Sequence, residues 1–295
     1  MRTFAYLGSL LLAALLPGPS AATKVVVTGA AGRTGRLVLD KLLKRGVHDP
    51  KGLVRTEKSM KRIAKLSGPD ALSKVEVCDV TSLEALEKAF AGSEAVVLCT
   101  SAVPKIKLRS ILKVLALKLI GKKGRPTFRF PPNGDPYHVD WLGAKNQIDA
   151  AKKAGVKHMV FVGSMGGTQE DNFLNSIGRV EGEELSGNIL KWKRKAEEHL
   201  IASGMDYTIV HPGGLLDKEG GRKIIFGVND ELLERKTRSI PRDDVAECCV
   251  AALSVDEAKR RSFDIISEDP ADTKEPFAGM DWNSFFSTNK ANCNY

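Results

Sequence analysis

A glycine-rich turn follows the first apolar run of the chain. Residues 25–28 read Val-Val-Val-Thr, and Gly29, Gly32 and Gly35 follow at intervals of three before the helical pattern of residues 34–44. Glycine lets a backbone bend sharply and approach a ligand closely, and the amides that open a helix attract anions. A strand, such a turn and a helix are typical of a dinucleotide-binding βα unit. The alternative is a glycine turn that only packs strand against helix.

Arg55 ends the second apolar run, about 20 residues beyond the turn. An acidic residue at this place binds the ribose 2′-hydroxyl of NAD, whereas an arginine suits the 2′-phosphate of NADP. Arg33, inside the turn, adds positive charge near the same group, while Lys58 and Lys61 are expected to be solvated surface charges. The sequence therefore predicts NADP as the cofactor, ahead of NAD.

Composition and charge indicate which other kinds of ligand the chain could bind. The chain has 295 residues, a formal net charge of +9 and 6% aromatic residues. A basic balance with few aromatics and no nucleic-acid-reading motif does not point to nucleic acid; the charge suits anionic cofactors or a membrane surface. The five cysteines lack metal spacing, so we expect buried free thiols and no metal site.

The first 22 residues have the pattern of a secretory signal peptide. Arg2 gives a basic start, residues 4–16 are apolar, and residues 17–22 break the helix and end in Ser-Ala-Ala. We expect cleavage near Ala22 and entry into the secretory pathway. In organisms with complex plastids the same signal is the first step of plastid import, so a plastid destination stays open.

Apolar strands alternate with helical patterns from Thr23 onward. The expected strands cover residues 24–27, 52–54, 74–77, 95–99, 158–162, 207–210 and 263–266, and the expected helices residues 34–44, 83–90, 139–154, 190–202 and 243–253. Such alternation predicts an α/β fold, a doubly wound parallel sheet of the Rossmann type, in one domain over residues 23–295 with a small substrate-side lobe. Ligands bind at the carboxyl ends of such strands, which here are Thr28, Arg55, Asp79, Thr100, Ser164 and His211.

Residues 104–137 form a basic, lid-like insertion. From Lys105 to Lys123 a helical stripe of leucine and isoleucine is flanked by Lys and Arg, which predicts a basic amphipathic helix. Four interpretations are open: an extra helix packed on the core, a substrate lid, a membrane-surface contact and a partner-binding helix. The C-terminal segment, residues 268–295, is polar, and its aromatic residues are expected to attach it to the body.

Several passages together resemble one known family. Residues 28–35, 100–104, 139–151, 162–167, 192–197 and 213–220 are similar to those of atypical short-chain dehydrogenases/reductases of the NmrA-like type, especially plant and algal NAD(P)-binding proteins often found in chloroplasts. The resemblance runs from residue 23 to about residue 266. It implies a cofactor site made of a phosphate loop (Gly29, Gly32, Arg33, Thr34, Gly35), a 2′-phosphate contact (Arg55), adenine contacts (Asp79, Val80), a loop along the cofactor (Thr100, Ser101, Ala102, Val103) and nicotinamide contacts (Pro212, Gly213).

The same resemblance implies catalytic positions. Ser164 matches the superfamily's catalytic serine and Lys193 the lysine of its Y-x-x-x-K pair, with Lys195 a second candidate. The tyrosine position falls on Ile189, which cannot donate a proton. His211 is a candidate substitute acid, and Tyr137 and His138 are others. The structural alternatives are a turn hydroxyl for Ser164 and a satisfied core histidine for His211.

Two functions fit these observations. The first is an NADP-dependent oxidoreductase that transfers hydride to an unidentified small conjugated or carbonyl acceptor without the usual tyrosine acid. The second is a non-catalytic NADP-binding redox sensor or scaffold protein, in which the missing tyrosine marks lost chemistry. The small-molecule partner is the substrate, and a peripheral membrane or protein contact is possible through the basic segment.

Overall fold

The computed structural model describes residues 22–268 and 279–295. Its strands are β1 (Thr23–Thr28), β2 (His48–Val54), β3 (Val75–Val77), β4 (Ala95–Leu98), β5 (Lys105–Ile106), β6 (Phe128–Arg129), β7 (His158–Val162), β8 (Asp206–Pro212), β9 (Gly214–Leu216), β10 (Ile224–Gly227), β11 (Ser239–Pro241) and β12 (Arg261–Ser267). Its α-helices are α1 (Arg33–Arg45), α2 (Glu57–Ser67), α3 (Pro69–Leu72), α4 (Leu83–Phe90), α5 (Leu108–Leu119), α6 (Ala144–Lys153), α7 (Phe173–Ser176), α8 (Ile189–Ala202), α9 (Arg242–Ala252) and α10 (Trp282–Thr288). The predicted signal peptide lies outside the described residues, apart from its last residue, Ala22.

Eight strands form the central sheet, in the order β10-β12-β8-β7-β4-β1-β2-β3. All neighbours pair in parallel except β10, which runs antiparallel to β12 at the edge. The predicted Rossmann-type α/β fold is confirmed. The direction of winding reverses between β1 and β4, and the crevice of such a sheet lies at that switch point, beyond the carboxyl ends of the strands.

Both faces of the sheet are covered, which explains the continuous apolar runs of its central strands. Side chains of a strand alternate between the two faces. Val25 and Val27 therefore join α1 and α9 in one core cluster, while Val26 joins α4, α6 and α8 in the other. These two cores fix the level of the strand ends, and so the floor of the crevice.

Several elements differ from the sequence-based expectations. The helix expected over residues 139–154 begins as a π-helix at Tyr137–Gly143 and continues as α6. The edge strand β10, the helix α2 and the short two-stranded sheets β5–β6 and β9–β11 were not expected. The strands are short, and each pairs with a strand that is distant in the chain. The helix α2 is amphipathic.

The basic insertion forms a small lobe, in which α5 lies between the antiparallel strands β5 and β6. Its apolar stripe faces solvent, which excludes the interpretation of an extra helix packed by that stripe on the core. In the described part of the chain, no helix combines the length and the apolar character needed to cross a membrane. The five cysteines are free thiols; Cys99 is half-buried and the others are buried.

The C-terminal helix α10 packs an aromatic cluster against the last strand of the parallel sheet. Phe285 and Phe286 are buried, and both rings contact Phe263 of β12 at centroid distances of 6.1 and 5.9 Å. Trp282 stacks on Phe286 from the outer side, at 6.0 Å. These contacts hold the end of the chain on the body.

Replacement of Phe286 by alanine is expected to lower the free energy of unfolding by about 3–5 kcal/mol, because a fully buried ring leaves a cavity. Urea unfolding of the variant measures this loss. Ser287→Ala, a change at the adjacent exposed position, is the control and should shift stability by less than about 0.5 kcal/mol. An unchanged unfolding midpoint in Phe286→Ala would contradict a structural part for α10.

Candidate functional site

The glycine turn between β1 and α1 is built for close backbone contact. Gly29 has a φ of +65°, and a Cβ there would lie 2.8 Å from the carbonyl oxygen of Cys99. At Gly35 a Cβ would lie 2.4 Å from the carbonyl oxygen of Gly29. Both distances are too short for any side chain, so packing of the turn against the end of β4 already requires glycine.

The start of α1 is open to an anion. Gly32 is the N-cap residue and provides no side-chain cap, and the first turn carries no acidic residue. The first amides of a helix lack partners within the helix and carry partial positive charge. Nearby, Thr28 Oγ1 is buried at the end of β1 with no hydrogen-bond partner among the described residues. This combination fits the phosphates of a dinucleotide.

Arg33 and Arg55 lie on the exposed side of this turn. The guanidinium of Arg33 donates to Asp217 at 2.8 Å, and the other carboxylate oxygen of Asp217 accepts from Arg242 at 2.6 Å. The hydrogen bond from Arg33 holds the pKa of Asp217 below its usual range. Arg55 is exposed directly after β2, and β2 is joined to the turn because Ala30 N donates to Leu53 O at 3.1 Å.

A cavity of about 870 Å³ adjoins the turn on its helical side. It lies between the starts of α1 and α9, helix α2 and the loop of residues 216–221, and Arg33, Arg36, Arg62 and Arg242 contribute to its lining. The positive side chains around the start of α1 add to its attraction for phosphate.

The positions implied as adenine contacts follow β3. Asp79 closes a turn by accepting from Thr81 N at 3.0 Å and from Thr81 Oγ1 at 2.9 Å. Val80 packs against the core cluster of α4 and α6, and its carbonyl oxygen accepts from Asn146 at 3.4 Å. The turn is thus held in place independently of any ligand.

A buried carboxylate, Asp140, holds the loop after β4 through hydrogen bonds. Its oxygens accept from Ser101 Oγ at 2.8 Å and from the amide of Ala102 at 3.0 Å. Thr100 Oγ1 accepts from Gln147 at 3.1 Å, and Val103, at the outer end of the loop, is 70% exposed. The loop expected to run along the cofactor is therefore fixed at three successive residues.

Lys193 extends from α8 to the same carboxylate. Its ammonium lies 3.0 Å from Asp140 Oδ1 and 3.5 Å from the carbonyl oxygen of Val162, at the end of β7. The lysine is 6% exposed and Asp140 is 2% exposed. A buried ion pair persists only with further hydrogen bonds, and the bonds from Ser101 and Ala102 supply them. Sequence reasoning missed Asp140, although it lies within a passage that carried the family resemblance.

Ser164 lies two residues beyond the end of β7 and is partly buried. Its hydroxyl donates to the carbonyl oxygen of Met165 at 3.0 Å. The following residues are held by Asp230, which accepts from Gly166 N at 2.6 Å and Thr168 N at 2.8 Å. The structure thus places Ser164 on a fixed loop beside the strand whose last carbonyl contacts Lys193.

The side chain of His211 is buried against Gly163, where a Cβ would lie 2.6 Å from the Cδ2 atom of His211. Its Nε2 is 3.1 Å from Glu197 and its Nδ1 3.1 Å from Asp264, and all three side chains are buried. Burial alone would lower the pKa of His211, but the attraction of Glu197 and the hydrogen bond to Asp264 raise it well above its ordinary value. Burial likewise opposes the charge of Glu197, and His211 keeps the pKa of that carboxyl low. The imidazolium has no nitrogen left for a substrate.

The C-terminal segment completes this buried cluster. Cys293 Sγ lies 3.6 Å from His211 Nδ1 and 3.7 Å from Asp264 Oδ1, so three atoms of metal-binding type lie within 4.8 Å of one another. The hydrogen bonds among them already account for the arrangement. Pro212 ends β8 and Gly213 follows it, packed so tightly that a Cβ would lie 2.4 Å from the carbonyl oxygen of Arg238.

Ile189 is the first residue of α8, where the resemblance places a tyrosine. A different tyrosine lies nearby, because the ring of Tyr137 packs on Trp192 at a centroid distance of 5.0 Å. Tyr137 begins the π-helix that carries Asp140, and Trp192 precedes Lys193. His138, the neighbouring candidate acid, is bound to Asp135 at 2.7 Å.

The model of a family described as NAD(P)H-binding matches residues 29–256. The chain belongs to this NAD(P)H-binding family. The match includes the glycine turn, the crevice loops and Lys193.

Three relatives of this family member are informative. The uncharacterized chloroplastic protein At2g37660 of Arabidopsis thaliana is 47% identical over 254 residues, which cover 85% of this chain and 71% of that protein. Sanguinarine reductase of Eschscholzia californica is 41% identical over 257 residues, which cover 83% and 89%. A solved structure of a putative NAD-dependent epimerase/dehydratase from Bacillus halodurans matches with a TM-score of 0.60 at 25% identity, over 84% of this chain and 95% of that one.

The resemblance to plant chloroplast-type NAD(P)-binding proteins is confirmed by these matches. The enzyme class expected from the sequence, an NAD(P)H-dependent oxidoreductase, is confirmed as well. Membership of this family indicates that the chain binds a nicotinamide cofactor.

Replacement of His211 by glutamine is expected to lower the free energy of unfolding by about 3–5 kcal/mol near pH 6, because the buried Asp264 loses its cation and Glu197 keeps Arg194, at 3.5 Å. The pKa of His211 is raised in the folded state, so its stabilisation is complete below the unfolded value of about 6.5 and is lost as pH rises through the folded value. The difference between wild type and variant should therefore shrink at alkaline pH, as measured by urea unfolding.

His158→Gln is the matched control for this experiment. His158 is buried too, but burial lowers its pKa to about 4, so it is neutral in the fold, and its Nε2 donates to Thr208 Oγ1 at 2.9 Å, since the hydroxyl of Thr208 itself donates to Ala258 O. The contribution of His158 to the free energy of unfolding should therefore not decline above pH 7. A His211→Gln difference that is independent of pH would contradict the charged cluster.

Proposed function

We propose that this chain is an NADPH-dependent reductase that transfers hydride to a small conjugated or carbonyl acceptor without a tyrosine acid. The observation that carries the proposal is the buried pair of Lys193 and Asp140, 3.0 Å apart at the carboxyl edge of the sheet. Burial of the lysine costs desolvation free energy, which Asp140 and the carbonyl oxygen of Val162 offset. The pair also anchors the loop of residues 100–103, along which the cofactor is expected to lie.

The residues present fit NADPH. The open start of α1 would hold the pyrophosphate, Arg33 and Arg55 would hold the 2′-phosphate, and the turn after β3 would border the adenine. Bound NADPH supplies the hydride. To contact the phosphate, Arg33 has to release Asp217, to which it donates at 2.8 Å. The larger negative charge of the phosphate favours this exchange of partners.

The protein's own part in the reaction is placement and proton supply. Lys193 holds the nicotinamide ribose with its ammonium, which Asp140 orients, while Pro212 and Gly213 limit the position of the ring. Ser164 is free to exchange its bond to Met165 for one to the acceptor. The acceptor would take the hydride at an electron-poor carbon, and a proton from water, or from Tyr137 through water, would complete the reduction.

His211 has no part in this chemistry, since both ring nitrogens are bound to carboxylates. We assign it a structural role beneath Gly163. The name of sanguinarine reductase, which is 41% identical, supports a reductive direction of hydride transfer. It gives no reason to transfer that protein's substrate to this chain.

A non-catalytic NADP-binding sensor is the second candidate function. Ile189 at the tyrosine position favours it, because an aliphatic residue cannot act as an acid. The two candidates differ in turnover: a sensor binds NADPH and leaves every acceptor unreduced.

We further propose plastid delivery through the N-terminal segment, with residues 1–22 acting as a signal peptide. The chloroplastic designation of the Arabidopsis relative supports a plastid destination. A contact outside the crevice, through the segment from Lys105 to Lys123, is also proposed, and the exposure of its apolar stripe supports it.

Arg55→Ala is expected to weaken NADPH binding by about 10- to 100-fold, since a hydrogen bond to a charged group contributes about 1.5–3 kcal/mol. NADH binding should change little. Energy transfer from Trp141, Trp192 and Trp282 to the reduced nicotinamide measures both. Lys58→Ala, at a neighbouring exposed cation, is the control. Equal weakening of NADPH and NADH binding would overturn the assignment of Arg55.

The double variant Lys193→Met/Asp140→Asn removes both charges of the buried pair and so avoids an uncompensated ion. NADPH oxidation with a panel of quinone, enone and linear-tetrapyrrole acceptors is expected to slow about 100-fold in kcat, because the cofactor ring is misplaced. Lys195→Met, an exposed lysine on the same helix, should keep wild-type rates. Tight NADPH binding without turnover of any acceptor by the wild type would favour the sensor.

A further inference from the structure

An apolar stripe on α5 is exposed to solvent. Leu108, Ile111, Leu112, Leu115 and Leu119 are 78%, 38%, 68%, 53% and 88% exposed. Their spacing puts them on one side of the helix, since residues three, four and seven apart lie on one face. Single exposed leucines are ordinary, but a continuous stripe of this kind marks a contact surface.

The opposite side of α5 is the one that faces the protein. Ser110 is buried, and its hydroxyl donates to Lys107 O at 2.6 Å and accepts from Thr127 N at 2.9 Å. Val114 and Leu117, on the same side, pack against Gly124 and are only partly exposed. The lobe is therefore held together without its apolar stripe, and the stripe is left for a partner.

Within the lobe's own sequence, all charged residues are positive. No Asp or Glu occurs between Glu94 and Asp135. The Lys and Arg residues of the lobe are Lys105, Lys107, Arg109, Lys113, Lys118, Lys122, Lys123, Arg125 and Arg129. A helix with leucine on one side and Lys or Arg along its flanks is typical of segments that lie in the interface of an anionic membrane.

We propose that α5 docks on the surface of an anionic lipid bilayer, with the five apolar side chains of the stripe in the acyl boundary and the cations at the headgroups. Charge complementarity selects this occupant. A second copy of the chain would bring two basic lobes together around the stripe, and like charges repel. An anionic bilayer offers an apolar phase for the stripe and negative headgroups for the cations that flank it.

The placement of the lobe connects this surface to the crevice. It leaves the sheet after β4, through the loop of residues 100–103 that Asp140 holds. In a docked molecule the mouth of the crevice lies near the bilayer, where an apolar conjugated acceptor is concentrated. This last step rests on the proposed reductase function, whereas the docking itself does not.

Flotation of the full chain with vesicles tests the docking. Vesicles of phosphatidylglycerol and phosphatidylcholine are compared with vesicles of phosphatidylcholine alone. The wild type is expected to bind the anionic vesicles at least about tenfold more tightly, and salt should weaken that binding. Leu112→Asp/Leu115→Asp should reduce it at least about tenfold. Because every protein carries residues 1–22, differences between variants report on the lobe.

Two control variants separate position from composition. Leu72→Asp/Leu83→Asp replaces exposed leucines elsewhere and should bind vesicles like the wild type. Lys113→Glu/Lys118→Glu should lose binding, whereas Lys61→Glu/Lys65→Glu, with the same change in charge on exposed positions of α2, should keep most of it. NADPH binding, measured in the same samples, should be unchanged in both lobe variants.

Three results would overturn the proposal. They are equal binding of the wild type to neutral and anionic vesicles, wild-type binding by Leu112→Asp/Leu115→Asp, and a dimer in light scattering that this variant abolishes. Loss of vesicle binding by Leu112→Asp/Leu115→Asp, while this variant still oxidises NADPH with a water-soluble quinone, would confirm the docking surface. That result would hold whatever the class of the natural acceptor.

Discussion

A buried carboxylate keeps its charge only where donors surround it, and three such carboxylates hold the loops at the carboxyl edge of this sheet. Asp140 binds the loop after β4 together with Lys193. Asp230 binds the loop after β7 through two amides and the hydroxyl of Thr168. Asp264 accepts from the amide of Asp230 at 2.7 Å and from His211. The loops at the carboxyl edge are therefore held by side chains from distant parts of the chain.

This arrangement divides the polar residues of the core into two groups. Lys193 and Asp140 lie under the loop that is expected to contact the cofactor, so their charges can act on a ligand. His211, Glu197 and Asp264 lie deeper, and the C-terminal Cys293 closes them off. Both groups are buried ion pairs and look alike in sequence. In the first group, Asp140 contacts an exposed residue of the crevice loop, Ser101, at 2.8 Å.

The lobe between β5 and β6 follows the opposite principle. The body of the protein buries its apolar strands on both faces, whereas α5 buries a serine and exposes its leucines. Amphipathicity shows that a helix has an apolar side, but not which neighbour covers that side. Here the side with Ser110, Val114 and Leu117 faces the rest of the lobe, and the stripe of leucine and isoleucine is directed outward.

Much of this molecule could be predicted from local patterns. The Rossmann-type sheet, the glycine turn at Gly29 and the positions of β1, β4, β7 and α8 follow from apolar periodicity and from the steric needs of glycine, which act between residues close in the chain. The partners of Lys193 and His211, the role of Asp140, the edge strand β10 and the exposed side of α5 did not follow. Each depends on residues far apart in sequence, and only tertiary packing decides which donors meet which carboxylate and which helix face is covered. The cluster of His211 shows this clearly, since a histidine after a strand is equally compatible with catalysis and with a buried ion pair until Glu197, Asp264 and Cys293 are placed around it.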